Sequence, residues 1–198
     1  MTIDKNIPIY QIVVSGNPIS EYYSEKSIYS FKQFGYNNII RVDAVTPDDM
    51  SAELRFTEKR LYRNNRSREW IPEEKAIWYS HLKCWNLIKQ PSIIIEHDCM
   101  LYRPLAEGLF KRSIWSFGRT EKNVNLAALA YFIKPSGART LIRDSKSKPI
   151  GGPVDSRIHD FQEWYPRNRL PKSYIDQYVS AVHYIDPEVG TTKPKAKK

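Results

Sequence analysis

The sequence predicts a single α/β domain with a mainly parallel central sheet flanked by helices, and three observations carry that expectation. The N-terminal part reads strand, helix, strand, the opening of a βαβ unit with a right-handed crossover. Ser92-Ile93-Ile94-Ile95 has the consecutive apolar residues of a strand buried on both faces, and it runs straight into Glu96-His97-Asp98. Proline-started helical stretches then alternate with short apolar runs through much of the remaining chain.

In order, Ile7–Val14 reads as the first strand, with Pro8 at its start, where a missing N–H is tolerated. Ser15-Gly16-Asn17-Pro18 turns the chain into a helix whose Ile19, Tyr22 or Tyr23, Ile28, Phe31 and Phe34 can share one face, with Gly35 as the residue that ends it. Ile39–Val42 is a second short strand, stopping at Asp43. From Val45 to Ile71 apolar periodicity is lost. Pro72-Glu73-Glu74 begins a helix, the proline at its first position and two acids against the positive end of the dipole. Ile77, Cys84, Trp85 and Ile88 give that helix an apolar stripe, with Trp78 and Leu82 beside it, and His81 lies within the same turns, where a hydrogen-bonded packing role is the ordinary one. After the Ser92–Ile95 strand, Cys99–Pro104 leads away. Ile114–Phe117 reads as another strand, and Ala127–Ile133 as an apolar run passing into a helix over 134–143. Lys146–Gly152 reads as a flexible polar link, and Pro153-Val154-Asp155 as a further helix start. Tyr178–Ile185, containing His183, reads as a last strand or edge segment.

The chain of 198 residues suits one domain, taken as 1–190, followed by a basic disordered tail over 191–198 that ends in Lys193, Lys195, Lys197 and Lys198. No apolar run reaches the length of a membrane span and the N-terminus lacks the layout of a secretion signal, so a cytoplasmic protein is expected. Cys84 and Cys99 read as free thiols. With 31 Lys and Arg against 22 Asp and Glu, the net charge of +9 suits a polyanionic partner as well as it suits a plain basic surface. The basic residues crowd into Arg55–Arg68. There Arg60, Arg63, Arg66 and Arg68, with Phe56, Tyr62 and Trp70 as neighbours, have the mixture of charge and stacking surface that nucleic-acid grooves use. The same basic groups would also serve a diphosphate.

Glu96 and Asp98, two residues apart at the end of a strand, can converge on one cation, and their oxygens suit Mg2+ or Mn2+. Strand-end acids also occur in nucleases and phosphatases, and as plain ion-pair residues.

The order of pieces around them narrows the choice. Pro72-Glu73-Glu74, Ser80-His81-Leu82 and Trp85, then Ile93–Asp98, then Ala130-Tyr131-Phe132-Ile133 with Gly137-Ala138 and Leu141-Ile142, then Pro153-Val154-Asp155 together resemble glycosyltransferase family 25, the lipooligosaccharide and collagen galactosyltransferase type, over roughly Ile9 to Asp155. The resemblance implies a Rossmann-like GT-A fold, a nucleotide-sugar donor (a UDP-sugar) and Mn2+ or Mg2+. It places Glu96, Ser80 and His81 at the donor, Asp98 and His183 on the metal, and Asp155 as the base that takes the acceptor's proton. His97 stands where the family has a middle acid. Taken with the basic stretch and the lysine tail, the expected activity is sugar transfer to an acceptor hydroxyl in DNA, on a base of the 5-hydroxymethylcytosine kind, as in phages that glycosylate their genomes. In that case the enzyme would work in the host cytoplasm. Alternatives are transfer to lipopolysaccharide or another glycan, a metal-dependent nuclease, and a nucleic-acid-binding module.

Overall fold

The computed structural model describes residues 4–61, 67–105, 113–119, 128–161 and 181–183. Its centre is a five-stranded sheet in the order β2 (Ile39–Asp43), β1 (Ile9–Val13), β5 (Ser92–Glu96), β9 (Ala130–Ile133) and β7 (Ile114–Ser116). β1 pairs in parallel with β2 and with β5, and β9 runs against both β5 and β7, so the sheet is mixed with a single reversed strand. Arg63, Arg66 and the tail over 191–198 lie outside the described residues.

Side-chain alternation divides the interior into two cores. Ile9, Ile93, Ile95, Ala130, Phe132, Trp115 and Phe117 face one way and meet Phe31 of α1 (Pro18–Gln33). Ile12, Ile94, Tyr131, Ile133 and Ile114 face the other way and meet Trp78, Leu82 and Trp85 of α2 (Pro72–Leu87). On that second face they also meet Ala138 and Leu141 of α3 (Pro135–Ser147) and Val154 and Ile158 of α4 (Val154–Phe161). The expected layers of helix, sheet and helix are therefore present.

α1 is capped as its sequence suggests. Asn17 accepts from the N–H groups of Ile19 and Ser20, each at 3.0 Å, and Gly35 takes the left-handed conformation (φ 83°) just past the helix. Its buried face is different from the expected apolar one: Ser20, Tyr23, Ser24, Ser27 and Phe31 are the buried residues, and Ile28 is only half-buried. The serines satisfy buried polar groups. Ser24 donates to Gln11 Oε1 at 2.8 Å, Ser27 donates to the Cys99 carbonyl at 2.6 Å, and Ser20 Oγ accepts from Val14 N–H at 2.9 Å.

Two further expectations are corrected. The polar stretch after Val45 is an anchored excursion: Leu54 and Trp70 are buried, Phe56 packs 5.1 Å centroid to centroid on Trp70, and a short hairpin pairs β3 (Lys59–Leu61) with β4 (Ser67–Glu69). The supposed link over 146–152 is held at both ends, because α3 continues to Ser147 and the fully buried Ile150 exchanges backbone bonds with Arg55 and Thr57. The last strand expected around His183 is present as β10 (Ala181–His183), and it lies in the middle of a second sheet, between β6 (Cys99–Leu101) and β8 (Gly118–Arg119), not at an edge.

Candidate functional site

The chain leaves β1 toward β2 on one side and returns to β5 on the other, so the sheet changes direction of growth between β1 and β5. In open α/β sheets a crevice forms above the carboxyl ends at such a point, and ligands bind there. Here that edge carries the Val14–Asn17 turn with Gly16 at φ 75°, Asp43, Glu96 to Asp98, and the Ala128-Leu129 turn that precedes β9.

α2 organises this edge from below. Ser80 Oγ accepts from Val45 N–H and donates back to the Ala76 carbonyl, both at 2.9 Å. Lys83 Nζ donates to the Asp43 carbonyl at 2.8 Å, the Trp78 indole donates to Gly152 O at 3.0 Å, and the Tyr79 hydroxyl accepts from Leu54 N–H at 3.2 Å and donates to Ser51 O. One helix thereby fixes the loop after β2, the excursion that follows it and the residues leading into α4.

Glu96 is the last residue of β5 and turns its carboxylate to the α2 side, where Oε1 lies 3.5 Å from His81 Nε2. His81 is fully buried between Trp85 and Tyr131, its Nδ1 2.9 Å from the Tyr131 hydroxyl, which also accepts from Trp85 Nε1–H at 2.8 Å. Burial holds the Tyr131 hydroxyl well above the usual phenol range, and the charges of Cys84, Glu96 and Asp155 add to that against the Trp85 hydrogen bond.

The chain turns at His97-Asp98, so strand alternation stops at Glu96. The His97 ring sits 6.3 Å from that of Tyr23, on the α1 side, away from Glu96 as its position in the sequence suggests. Asp98 is half-buried within the turn. Both acids bear on the neighbouring Cys99 thiol: burial raises it first, then Asp98, then Glu96. Asp155, in the first turn of α4, is also half-buried, and its Oδ1 accepts from Ala128 N–H at 2.8 Å. Its carboxylate is thus tied to the turn that leads into β9.

Glu96, Asp98 and Asp155 are therefore brought to one edge, with Ser80 and His81 buried behind it as supports. β10 sets His183 in register opposite Cys99, next to Asp98 in the chain. Of the arginines read as a nucleic-acid strip, Arg60 and Arg68 lie among the described residues, and both are engaged within the hairpin. Arg60 and Arg68 face each other across the hairpin and both bind the Glu74 carboxylate in the first turn of α2, while the Arg60 guanidinium lies 5.9 Å from the Trp70 ring. Phe56 and Trp70, read as stacking surfaces, spend their faces on each other and on the core beside Tyr79.

Sequence reasoning placed Tyr131 in a buried apolar strand and gave it no task of its own. The available signal was its hydroxyl, since a tyrosine inside such a strand needs a partner there. Among the described residues no three of His, Cys, Asp and Glu are gathered as a complete metal cage. Glu96 and Asp98 supply two carboxylates at the end of β5, and carboxylate oxygen is the donor type that a magnesium-type ion takes from a protein while phosphates and water complete its shell. No protein-family model matches the chain, and no curated protein matches it. Among the described residues no helix is long and apolar enough to cross a membrane.

Proposed function

We propose that the protein is a GT-A-type glycosyltransferase that moves a sugar from a nucleotide sugar, a UDP-sugar in the simplest case, to an acceptor hydroxyl. The observation that carries this reading is the acidic end of β5 at the switch point of the sheet, with Glu96 aimed by a buried histidine and Asp155 tethered on the adjoining turn. The nucleotide would lie above the carboxyl ends of β1 and β5, where the sheet changes direction of growth. Asp98, with Glu96, would hold Mg2+ or Mn2+, which when bound offsets the charge of the departing diphosphate. Asp155 stands as the base for the acceptor hydroxyl, one of its oxygens held by Ala128 N–H, which keeps the side chain in a fixed orientation. The lysine, arginine and aromatic chemistry needed to grip DNA is not supplied by Arg60, Phe56 or Trp70. A DNA acceptor would rest instead on Arg68, Arg63, Arg66 and the lysines over 193–198.

The test is transfer of labelled sugar from a panel of nucleotide sugars, with Mn2+ or Mg2+, to hydroxymethylated DNA, plain DNA and core oligosaccharides. Label entering hydroxymethylated DNA alone supports the phage-type acceptor, and label entering the oligosaccharide supports a glycan acceptor. DNA cleavage without any transfer points to a nuclease and defeats the proposal.

A further inference from the structure

Trp85, Tyr131, His81 and Glu96 form one chain of polar contacts at the back of the site, drawn from three elements, α2, β9 and β5. Its direction follows from donor and acceptor counting. The Trp85 indole can only donate, so at 2.8 Å the Tyr131 oxygen must accept from it. Tyr131 has a single hydrogen to give, and His81 Nδ1 lies 2.9 Å away. If the neutral ring carried its hydrogen on Nδ1, two donors would converge on the phenol oxygen and the Nε2 lone pair would face the Glu96 carboxylate. With Nδ1 accepting, the ring's hydrogen sits on Nε2 and points at Glu96 Oε1.

We propose that Tyr131 is a positioning residue: by donating its hydroxyl hydrogen to Nδ1, it locks His81 in the Nε2–H tautomer that aims at Glu96. Packing reinforces the lock. His81 is fully buried, its ring 5.8 Å from that of Tyr131 at an interplanar angle of 29° and 6.2 Å from that of Trp85, so the ring is held away from solvent between two aromatic neighbours. The raised Tyr131 hydroxyl is consistent with a phenol that keeps its hydrogen. The consequence at the site is an uncharged N–H donor behind the carboxylate. Glu96 is oriented while its negative charge is left for a ligand on the open side. The contact is long, at 3.5 Å, as such contacts often are before a ligand tightens them. The importance of aiming Glu96 rests on the glycosyltransferase reading; the tautomer lock does not.

The experiment is long-range proton–nitrogen NMR of the 15N-labelled imidazoles, with His81 assigned by the loss of its signals in His81→Gln. The wild-type protein should show His81 as a single Nε2–H tautomer. Tyr131→Phe, which removes the hydroxyl and keeps the ring, should shift that tautomer toward Nδ1–H or a mixture and weaken Mn2+-dependent UDP-sugar binding about tenfold. A wild-type His81 with its hydrogen on Nδ1 overturns the proposal, as does an unchanged tautomer in a folded Tyr131→Phe. If Tyr131→Phe does not fold, the wild-type spectrum decides alone. If the tautomer behaves as expected while wild-type protein binds no nucleotide sugar, the lock stands and the glycosyltransferase reading fails.

Discussion

Glu96 and Asp155, far apart in the sequence, are held by consecutive residues of one turn: the Leu129 carbonyl accepts from Glu96 N–H at 2.9 Å, and Ala128 N–H donates to Asp155 Oδ1 at 2.8 Å. The end of β5 and the start of α4 are therefore registered to each other through the entry of β9. Disturbing that turn should disturb both acids together. Asp155→Ala is accordingly expected to lower stability by about 1–2 kcal/mol, since a half-buried N–H loses its partner, as well as to abolish transfer. Urea unfolding and label transfer on the same preparation check this. Asp155→Asn, which keeps an oxygen for Ala128, should restore most of the stability and none of the activity.

α3 packs closely on the strand beneath it at Gly137. A Cβ there would lie 2.5 Å from the Ser113 carbonyl oxygen and 2.6 Å from Ile114 Cγ1, so neither backbone nor core can simply give way. Gly137→Ala should cost about 1–3 kcal/mol by overpacking. Gly152→Ala is the control, because its added carbon would meet nothing nearer than 3.8 Å. Equal unfolding midpoints for the two variants would show that α3 sits further from the sheet than described.

The hairpin arginines separate by exposure. The Arg60 side chain is 14% exposed and that of Arg68 40%, although both bind Glu74. Arg60→Ala should lower stability by about 1–2 kcal/mol, Arg68→Ala by less than about 1 kcal/mol. If DNA is the acceptor, neutralising Arg63, Arg66 and Arg68 should weaken binding and flatten its salt dependence, whereas Arg60→Ala should leave the salt slope alone. A salt slope that changes with Arg60 would return that residue to the interface.

Alkaline pH should loosen the α2 core. Burial pushes the Cys84 thiol up from 9.0 to about 12, against a smaller lowering by Lys83. The unfolded chain gives up this proton first, so stability is full below about pH 9 and falls as pH rises toward 12, by at most about 1.4 kcal/mol per pH unit for this one group. Tyr131, held above its usual range by burial, adds to the loss from about pH 10 upward. Cys84→Ala should lower the slope between pH 9 and 10 in denaturant titrations without removing it, since the Cys99 thiol is also raised by burial, and an equally steep profile would remove Cys84 as a cause.

What the sequence showed of the fold was what local pattern can carry. Ile93 to Ile95 announce a strand covered on both sides, and Pro72-Glu73-Glu74 announces a helix start, because burial and end effects act on neighbours in the chain. The serine face of α1 was hidden, since hydroxyls that bond buried backbone leave no apolar period. Arg60, Arg68, Phe56 and Trp70 looked like a groove because composition does not reveal that Glu74 and Tyr79 lie against them. The acid pair at the end of β5 was legible as a candidate; the contact of Glu96 with the buried His81 was not. Tyr131 and His81 are 50 residues apart, and only the pairing of β9 beside β5 under α2 brings them together.

The central claim is that the edge formed by Glu96 and Asp98 binds a nucleotide sugar through a divalent cation. Calorimetric titration of UDP-sugars in the presence and absence of Mn2+ tests it most directly, on wild-type protein, Glu96→Gln and Asp98→Ala. The account predicts metal-dependent binding to wild-type protein that is lost in both variants while their unfolding midpoints stay close to wild type. Binding that survives in both variants, or a wild-type protein that binds no nucleotide sugar with either Mn2+ or Mg2+, would contradict it.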